Sequence, residues 1–109
     1  MSASATIPTT VTPEAAARIA ELGIQGEVDR MLEHTRQTIP NLRRIDVTLD
    51  DPHGTGDQPY LTIWATRGDT YHPDDSSRQE WGRWKVTTFP PQVCEQITLV
   101  TSYEDGHAG

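Results

Sequence analysis

The spacing of apolar residues at the start of the chain follows the period of a helix. Residues 13–22 place apolar side chains on one side of a helix, which Thr12 can cap and Gly23 can end. A second apolar run has the i, i+4, i+7 spacing of a buried helical face and stops before Pro40. Its members are Ile24, Val28, Met31, Leu32, Thr35 and Ile39. The pattern predicts either two helices at an angle or one kinked helix.

After Pro40 the apolar residues alternate with polar ones, which is the pattern of half-buried strands. The first such segment, RRIDVTLDD, covers residues 43–51, and the second, PYLTIWATR, covers residues 59–67. Turn-forming residues lie between them, so we expect a long hairpin. One face of the two strands is apolar and consists of Ile45, Val47, Leu49, Leu61, Ile63 and Ala65.

A third helix and a third strand are predicted towards the end of the chain. Ser77 and Glu80 have the spacing of a capping box, and the helix that they open ends by Phe89, before two prolines. Residues 91–96 are expected to form one short turn, and QITLVTSYE then alternates as a strand. Because a helix connects the two strands, the third strand should be parallel to the second, and it could lie antiparallel beside the first.

The predicted order is α-α-β-β-α-β, which indicates an α+β fold. We expect a two-layer sandwich with a small three-stranded sheet and helices packed on one of its faces. Residues 1–12 are rich in Ser, Thr and Ala without periodicity and are predicted to form a disordered tail. Residues 13–104 would form a single domain, and residues 105–109 a flexible C-terminus.

Composition narrows the class of partner. The chain of 109 residues has 16 acidic and 9 basic residues and a net charge of −7, which disfavours nucleic acid and anionic membranes and suits a basic protein partner. The single cysteine excludes an internal disulfide and a Cys-rich zinc site. We find neither a signal peptide nor an apolar run long enough to span a bilayer, and expect a soluble, cytoplasmic protein of bacterial type.

The hairpin loop DDPHGTGD, residues 50–57, concentrates carboxylates with a histidine, His53. Counted from Asp51, it has a glycine where an EF-hand has one, but Thr62 stands at the twelfth position, where a glutamate is required. Its GTG triplet does not open a helix, as a dinucleotide-binding turn would. Asp, Gly and Pro are the residues that hairpin loops need for their own geometry. We therefore predict a hairpin tip with no metal and no cofactor.

The remaining chemistry-bearing residues form no constellation. The four histidines are scattered along the chain, and Glu95 beside Cys94 works against a reactive thiolate, so this cysteine is expected to be structural. Trp81 and Trp84 have helical spacing and are expected in the core rather than in a cofactor platform. No motif for nucleophilic, metal-dependent or phosphate chemistry is present, which favours a protein that is not an enzyme.

The polar face of the predicted sheet, called here the Trp64 face, is the main candidate surface. Such a face is often simply solvated, but an exposed tryptophan is also a favoured anchor for a protein partner. Its candidate binding residues are Thr48, Thr62, Trp64, Thr66 and Val100, and it also carries Asp46, Asp50, Thr98 and Ser102. We predict a protein-binding or accessory module, such as an antitoxin-like or immunity-like inhibitor. A homodimer through this face or through an edge strand is a further possibility.

The alternative function is a small-ligand or catalytic pocket between helix and sheet. The connector GDTYHPDD supplies its candidate residues, Tyr71, His72 and Asp74, to which His53 could be added. A deep polar pocket would favour this alternative, whereas a flat patch around Trp64 would favour protein binding.

Overall fold

The computed structural model describes residues 7–51, 59–70 and 73–104. It is an α+β structure, as predicted, with one mixed sheet of four strands in the order β1-β2-β3-β4. Along the chain the elements are β1 Thr9–Val11, α1 Pro13–Leu22, α2 Gln25–Thr38, β2 Leu42–Asp50, β3 Tyr60–Arg67, α3 Ser77–Thr88, α4 Pro91–Cys94 and β4 Ile97–Tyr103. No helix in the described ranges is both long and apolar enough to cross a membrane.

The prediction of a three-stranded sheet is wrong, because β1 comes from residues assigned above to a disordered tail. β1 runs parallel to β2, with Thr10 opposite Asp46. Backbone bonds fasten both of its ends: the Ile45 amide donates to the Pro8 carbonyl at 2.9 Å, and the Thr12 amide donates to the Val47 carbonyl at 3.0 Å. The Thr10 hydroxyl also donates to the Asp46 carboxylate. A strand of three residues is too short to show a period in sequence, although its β-branched residues favour strand geometry.

The last strand, β4, is parallel to β3, as predicted, but it does not lie beside β2. β3 pairs antiparallel with β2 on one side and parallel with β4 on the other. The second edge of β2 is occupied by β1, so β4 forms the far edge of the sheet. β3 is therefore a central strand, and this position determines which of its side chains are accessible.

The first two helices are separate rather than one kinked helix. The Thr12 hydroxyl accepts a hydrogen bond from the Ala15 amide at 3.2 Å, which caps α1. Gly23 ends α1 with φ 69°, a left-handed conformation that a residue with a side chain adopts only with strain. The Val28 amide then donates to the Ile24 carbonyl, which starts α2. All six apolar-face positions predicted for this second run are buried.

The helices pack on the apolar face of the sheet, where they form one core. That core unites buried residues of α1 and α2 with Trp81 of α3 and with the inward positions of β2, β3 and β4. The Trp81 indole N–H donates to the Thr35 hydroxyl at 3.0 Å, and this hydroxyl donates to the Met31 carbonyl at 2.7 Å. Trp84 stacks on His34 with a centroid separation of 3.8 Å. Both tryptophans therefore join α3 to α2. Trp81 lies in the core, as predicted, whereas Trp84 is half-buried and packs against the core from outside.

The start of α3 differs from the predicted capping box by one residue. Ser76, not Ser77, is the cap, and its hydroxyl donates to the Glu80 carboxylate at 2.9 Å. The Ser77 amide is instead bound by the Asp75 carboxylate at 2.8 Å. An aspartate just before the helix thus takes the role assigned to serine, because its carboxylate is the stronger acceptor. α4 is the short turn expected after the two prolines.

Candidate functional site

The Trp64 face is the side of the sheet opposite the helices. The pairing register places Trp64 in a row with Asp46 on β2 and Val100 on β4. None of these three residues belongs to the core cluster, and Trp64 and Val100 are half-buried. Trp64 therefore occupies the middle of a sheet face that no described helix covers.

Hydrogen bonds fix the orientation of the Trp64 indole. Its N–H donates to the Thr48 hydroxyl at 3.0 Å, and the Thr48 hydroxyl lies 3.4 Å from an oxygen of the Asp50 carboxylate. The Thr62 hydroxyl donates to the same carboxylate oxygen. Because this series of hydrogen bonds ends on a charged carboxylate, it is stronger than a series between neutral groups. The ring is consequently held in one position before any partner arrives.

Two of the predicted binding residues are buried beneath the face. Thr62 is 2% exposed and Thr66 is 7% exposed. Both lie on the central strand, where side chains of β2 and β4 flank them, and the Thr66 and Ser102 hydroxyls are 3.2 Å apart. A partner cannot contact these threonines extensively. Their part is to support the ring and the sheet, whereas Trp64, Val100 and Thr48 remain half-exposed.

A hollow of about 340 Å³ opens beside Trp64 at the hairpin end of the sheet. Its polar lining includes the Asp50 and Asp51 carboxylates, and its aromatic lining is Tyr60 and Trp64. Thr62, Thr98 and Val100 complete the wall. Carboxylates next to aromatic rings favour a cationic group, through charge and through the negative ring faces. Trp64 and Asp50 were predicted on this face, whereas Tyr60 and Asp51 were not, and the structure brings all four residues together.

A buried ion cluster, which was not among the predicted sites, lies at the opposite end of β3. The Arg67 side chain is 3% exposed and is bound by two carboxylates. Its Nε and Nη2 donate to Asp69 at 3.0 and 2.7 Å, and its Nη1 donates to Asp75 at 2.6 Å. The sequence did contain an indication of this cluster. Arg67 follows Leu61, Ile63 and Ala65 in the inward alternation of β3, and an arginine buried at such a position needs acidic partners.

The charges of this cluster stabilise one another. Hydrogen bonding to Asp69 raises the pKa of Arg67 above its already high value. The Ser77 amide, and then Arg67, lower the pKa of Asp75 to about 2, and Arg67 lowers the pKa of Asp69. The cluster fastens the connector between β3 and α3. Because the arginine is neutralised by both carboxylates, the arrangement is that of a structural clamp.

The structure describes only part of the alternative pocket near the connector between β3 and α3. Tyr71, His72 and His53 lie outside the described residues, as does most of the hairpin loop, residues 52–58. Asp74 is exposed, and it is the neighbouring Asp75 that binds Arg67. A hollow of about 440 Å³ lies beside the connector, between the start of α3 and the edge of β4. It is lined by Arg67, Pro73, Asp75, Ser77, Arg78, Gln79, Val100, Thr101 and Tyr103.

Cys94 and Lys85 make structural contacts near the end of α3. The Cys94 thiol is half-buried and lies 3.4 Å from the Lys85 carbonyl and 3.5 Å from the Phe89 carbonyl. The Lys85 ammonium donates to the carbonyls of Cys94 and Ile97, and burial lowers its pKa. Within residues 7–51, 59–70 and 73–104, no three His, Cys, Asp or Glu side chains are placed to hold a metal ion.

Comparisons with known proteins identify no relative of this chain. No family model, no curated protein and no solved structure matches this chain.

Proposed function

We propose that this protein is a non-enzymatic protein-binding or accessory module that docks its partner on the Trp64 face. The observation that carries the proposal is the fixed, half-buried indole at the centre of a sheet face without a helix over it. Tryptophan is enriched among residues that dominate binding energy. A ring already held by Thr48 loses little conformational freedom when a partner covers it, and this preorganisation favours affinity.

The hollow beside Trp64 indicates the chemistry of the partner. Asp50 and Asp51 provide negative charge, and Tyr60 and Trp64 provide aromatic surface. A lysine or arginine side chain has the charge and the shape to enter such a hollow, with its aliphatic stem along Val100. The net charge of −7 adds a long-range attraction for a basic surface. An inhibitor of antitoxin or immunity type, or an acidic subunit, fits this description.

Cytoplasmic location and the absence of nucleic-acid binding belong to the same proposal. They are supported by the unpaired cysteine and by the acidic balance of the chain.

A pull-down from the native host tests the docking face. We expect that Trp64→Ala loses at least one partner that the wild-type protein retains, while Val86→Ala retains it. Val86 is a suitable control because it is an apolar residue, 60% exposed, on α3 away from the sheet face. Identical partner lists for the wild-type protein and Trp64→Ala would contradict the proposal.

A small-ligand or catalytic role near the connector is the second candidate. The hollow of about 440 Å³ beside Arg67 and the start of α3 favours it. If this hollow binds a metabolite, thermal-shift screening should find a ligand whose effect is lost in Arg78→Ala and retained in Trp64→Ala. A screen in which no compound shows this pattern would favour the docking face.

A further inference from the structure

The hollow beside Trp64 extends across three strands of the sheet. Asp50, the last residue of β2, pairs with Tyr60, and Thr98 of β4 pairs with Thr62. Tyr60, Thr62 and Trp64 occupy alternate positions of β3, so their side chains lie on the same face. The Cα atoms of the two aromatic residues are ~13 Å apart along the strand. The hollow therefore has an aromatic residue at each end and the buried Thr62 between them.

The Trp64 indole leans along the sheet towards Tyr60. Trp64 pairs with Asp46, but its N–H reaches the hydroxyl of Thr48, which pairs with Thr62. The ring is therefore displaced by one residue pair towards the hairpin end, where Tyr60 lies. This displacement narrows the space between the two aromatic side chains, and a flat group fits such a space better than a spherical one.

Three polar groups of the hollow have no partner in the protein. Asp50 accepts the hydroxyls of Thr48 and Thr62 with the same oxygen, Oδ2, and its Oδ1 makes no hydrogen bond to the described residues. The hydroxyls of Tyr60 and Thr98 also make none within the ranges that the structure describes. Asp50 and Thr98 lie on opposite sides of β3. Acceptors are thus available to a ligand on both sides of the hollow.

A guanidinium group matches this arrangement better than an ammonium group does. It is planar, carries five N–H donors in that plane and stacks on aromatic faces. An ammonium group is compact and strongly hydrated, so its entry into a half-buried hollow costs more. Because only one oxygen of Asp50 is available, a two-point contact with that carboxylate is not possible. Different nitrogens of one guanidinium can instead reach Asp50 on β2 and Thr98 on β4.

We propose that this hollow is selective for arginine, so that the partner inserts an arginine side chain and a lysine at the same position binds more weakly. The guanidinium lies against the Trp64 ring and donates to Asp50 Oδ1 and to the Thr98 hydroxyl. Its aliphatic stem runs along Val100, and Asp51 adds negative charge. The inference rests on the proposed docking function and specifies which residue of the partner enters the hollow.

Two peptides of equal length and charge, one with arginine and one with lysine at every basic position, test this selectivity. Their equal charge keeps the long-range attraction to the acidic chain the same. The indole N–H signal of Trp64 in a proton–nitrogen correlation spectrum reports binding, and Trp64→Phe identifies that signal. We expect the arginine peptide to bind about fivefold more tightly, which is the ratio that one additional contact of this kind produces.

Substitutions of Thr98 test the origin of the preference. Thr98→Val has a similar shape but removes the hydroxyl acceptor, so the preference for arginine should fall, whereas Thr98→Ser should retain it. Equal affinities for the two peptides, or a preference that is unchanged in Thr98→Val, would overturn the assignment of arginine but not the docking face. A Trp64 signal that responds to neither peptide would contradict the proposed docking function and the assignment with it.

Discussion

Replacing Arg67 with methionine should destabilise the fold more than any other single change of an arginine. Methionine replaces the aliphatic part of the arginine side chain but carries no charge, so it leaves Asp69 and Asp75 without their cationic partner. Both carboxylates are largely buried, with side-chain exposures of 17% and 19%. Three hydrogen bonds between oppositely charged groups are lost together.

The expected loss is about 3 kcal/mol of unfolding free energy at neutral pH. Removing one partner of a buried pair typically costs ~3–5 kcal/mol, and the remaining solvent contact of the two carboxylates favours the low end. This loss should shrink in acid. The pKa of Asp75 is lowered from 3.8 to about 2, so its contribution is complete above pH ~4 and is lost as the pH falls towards 2. Arg67 causes part of that shift, so the gap between the two proteins should narrow by about 1 kcal/mol over this range.

Urea unfolding at pH 7 and at several acidic pH values measures both effects. Arg43→Met is the matched control, because Arg43 is 64% exposed and its contact with Glu104 is 3.7 Å long. Such a surface pair contributes little, so the control should lose no more than about 0.5 kcal/mol. Equal losses of unfolding free energy in Arg67→Met and Arg43→Met would contradict the stabilising role of the Arg67 cluster. A gap that widened on acidification would refute the assigned pKa direction.

Three further predictions concern the core, the helix contact and the loop. Thr35→Val should cost about 1–3 kcal/mol in urea unfolding, since the buried Trp81 N–H loses its acceptor; a loss no larger than that of Thr35→Ser would contradict this. His34 packs on Trp84, and burial lowers the pKa of His34. Below pH ~6.5 the wild-type protein should therefore lose stability relative to His34→Gln. Stability curves of the two proteins that stay parallel over this pH range would contradict this. Calcium, zinc and manganese should leave the melting temperature unchanged, and a rise that disappears in Asp51→Ala would overturn the rejection of a metal loop.

The helices and the long strands could be predicted because their burial repeats with a regular period. In α2 the period of the apolar residues identified every buried position, and in β2 and β3 the alternation identified the inward face. Thr12 and Gly23 marked both ends of α1, since each acts through its own backbone geometry. These features are local in sequence, and local patterns are what a single sequence displays.

The features that could not be predicted depend on contacts between distant parts of the chain. β1 forms because Thr9–Val11 pairs with the edge of β2. Three residues are too few to show a strand pattern in the sequence. Thr62 and Thr66 are buried because β3 is central, and strand order is not visible in their alternation. The hollow beside Trp64 combines residues on three strands and the start of the hairpin loop. The Arg67 cluster is the exception among these features. A charged residue at an inward position of an otherwise apolar strand face indicated that acidic partners lie nearby.

The response of the Trp64 indole N–H to a cationic peptide tests the central claim most directly. Each of the three tryptophans gives its own indole signal in a proton–nitrogen correlation spectrum, and Trp64→Phe assigns one of them. The account predicts that a short lysine- and arginine-rich peptide shifts the Trp64 signal saturably, leaves the buried Trp81 signal in place, and binds more weakly to Asp51→Asn. A Trp64 signal that does not move, or that responds equally to a glutamate-rich peptide, would contradict it.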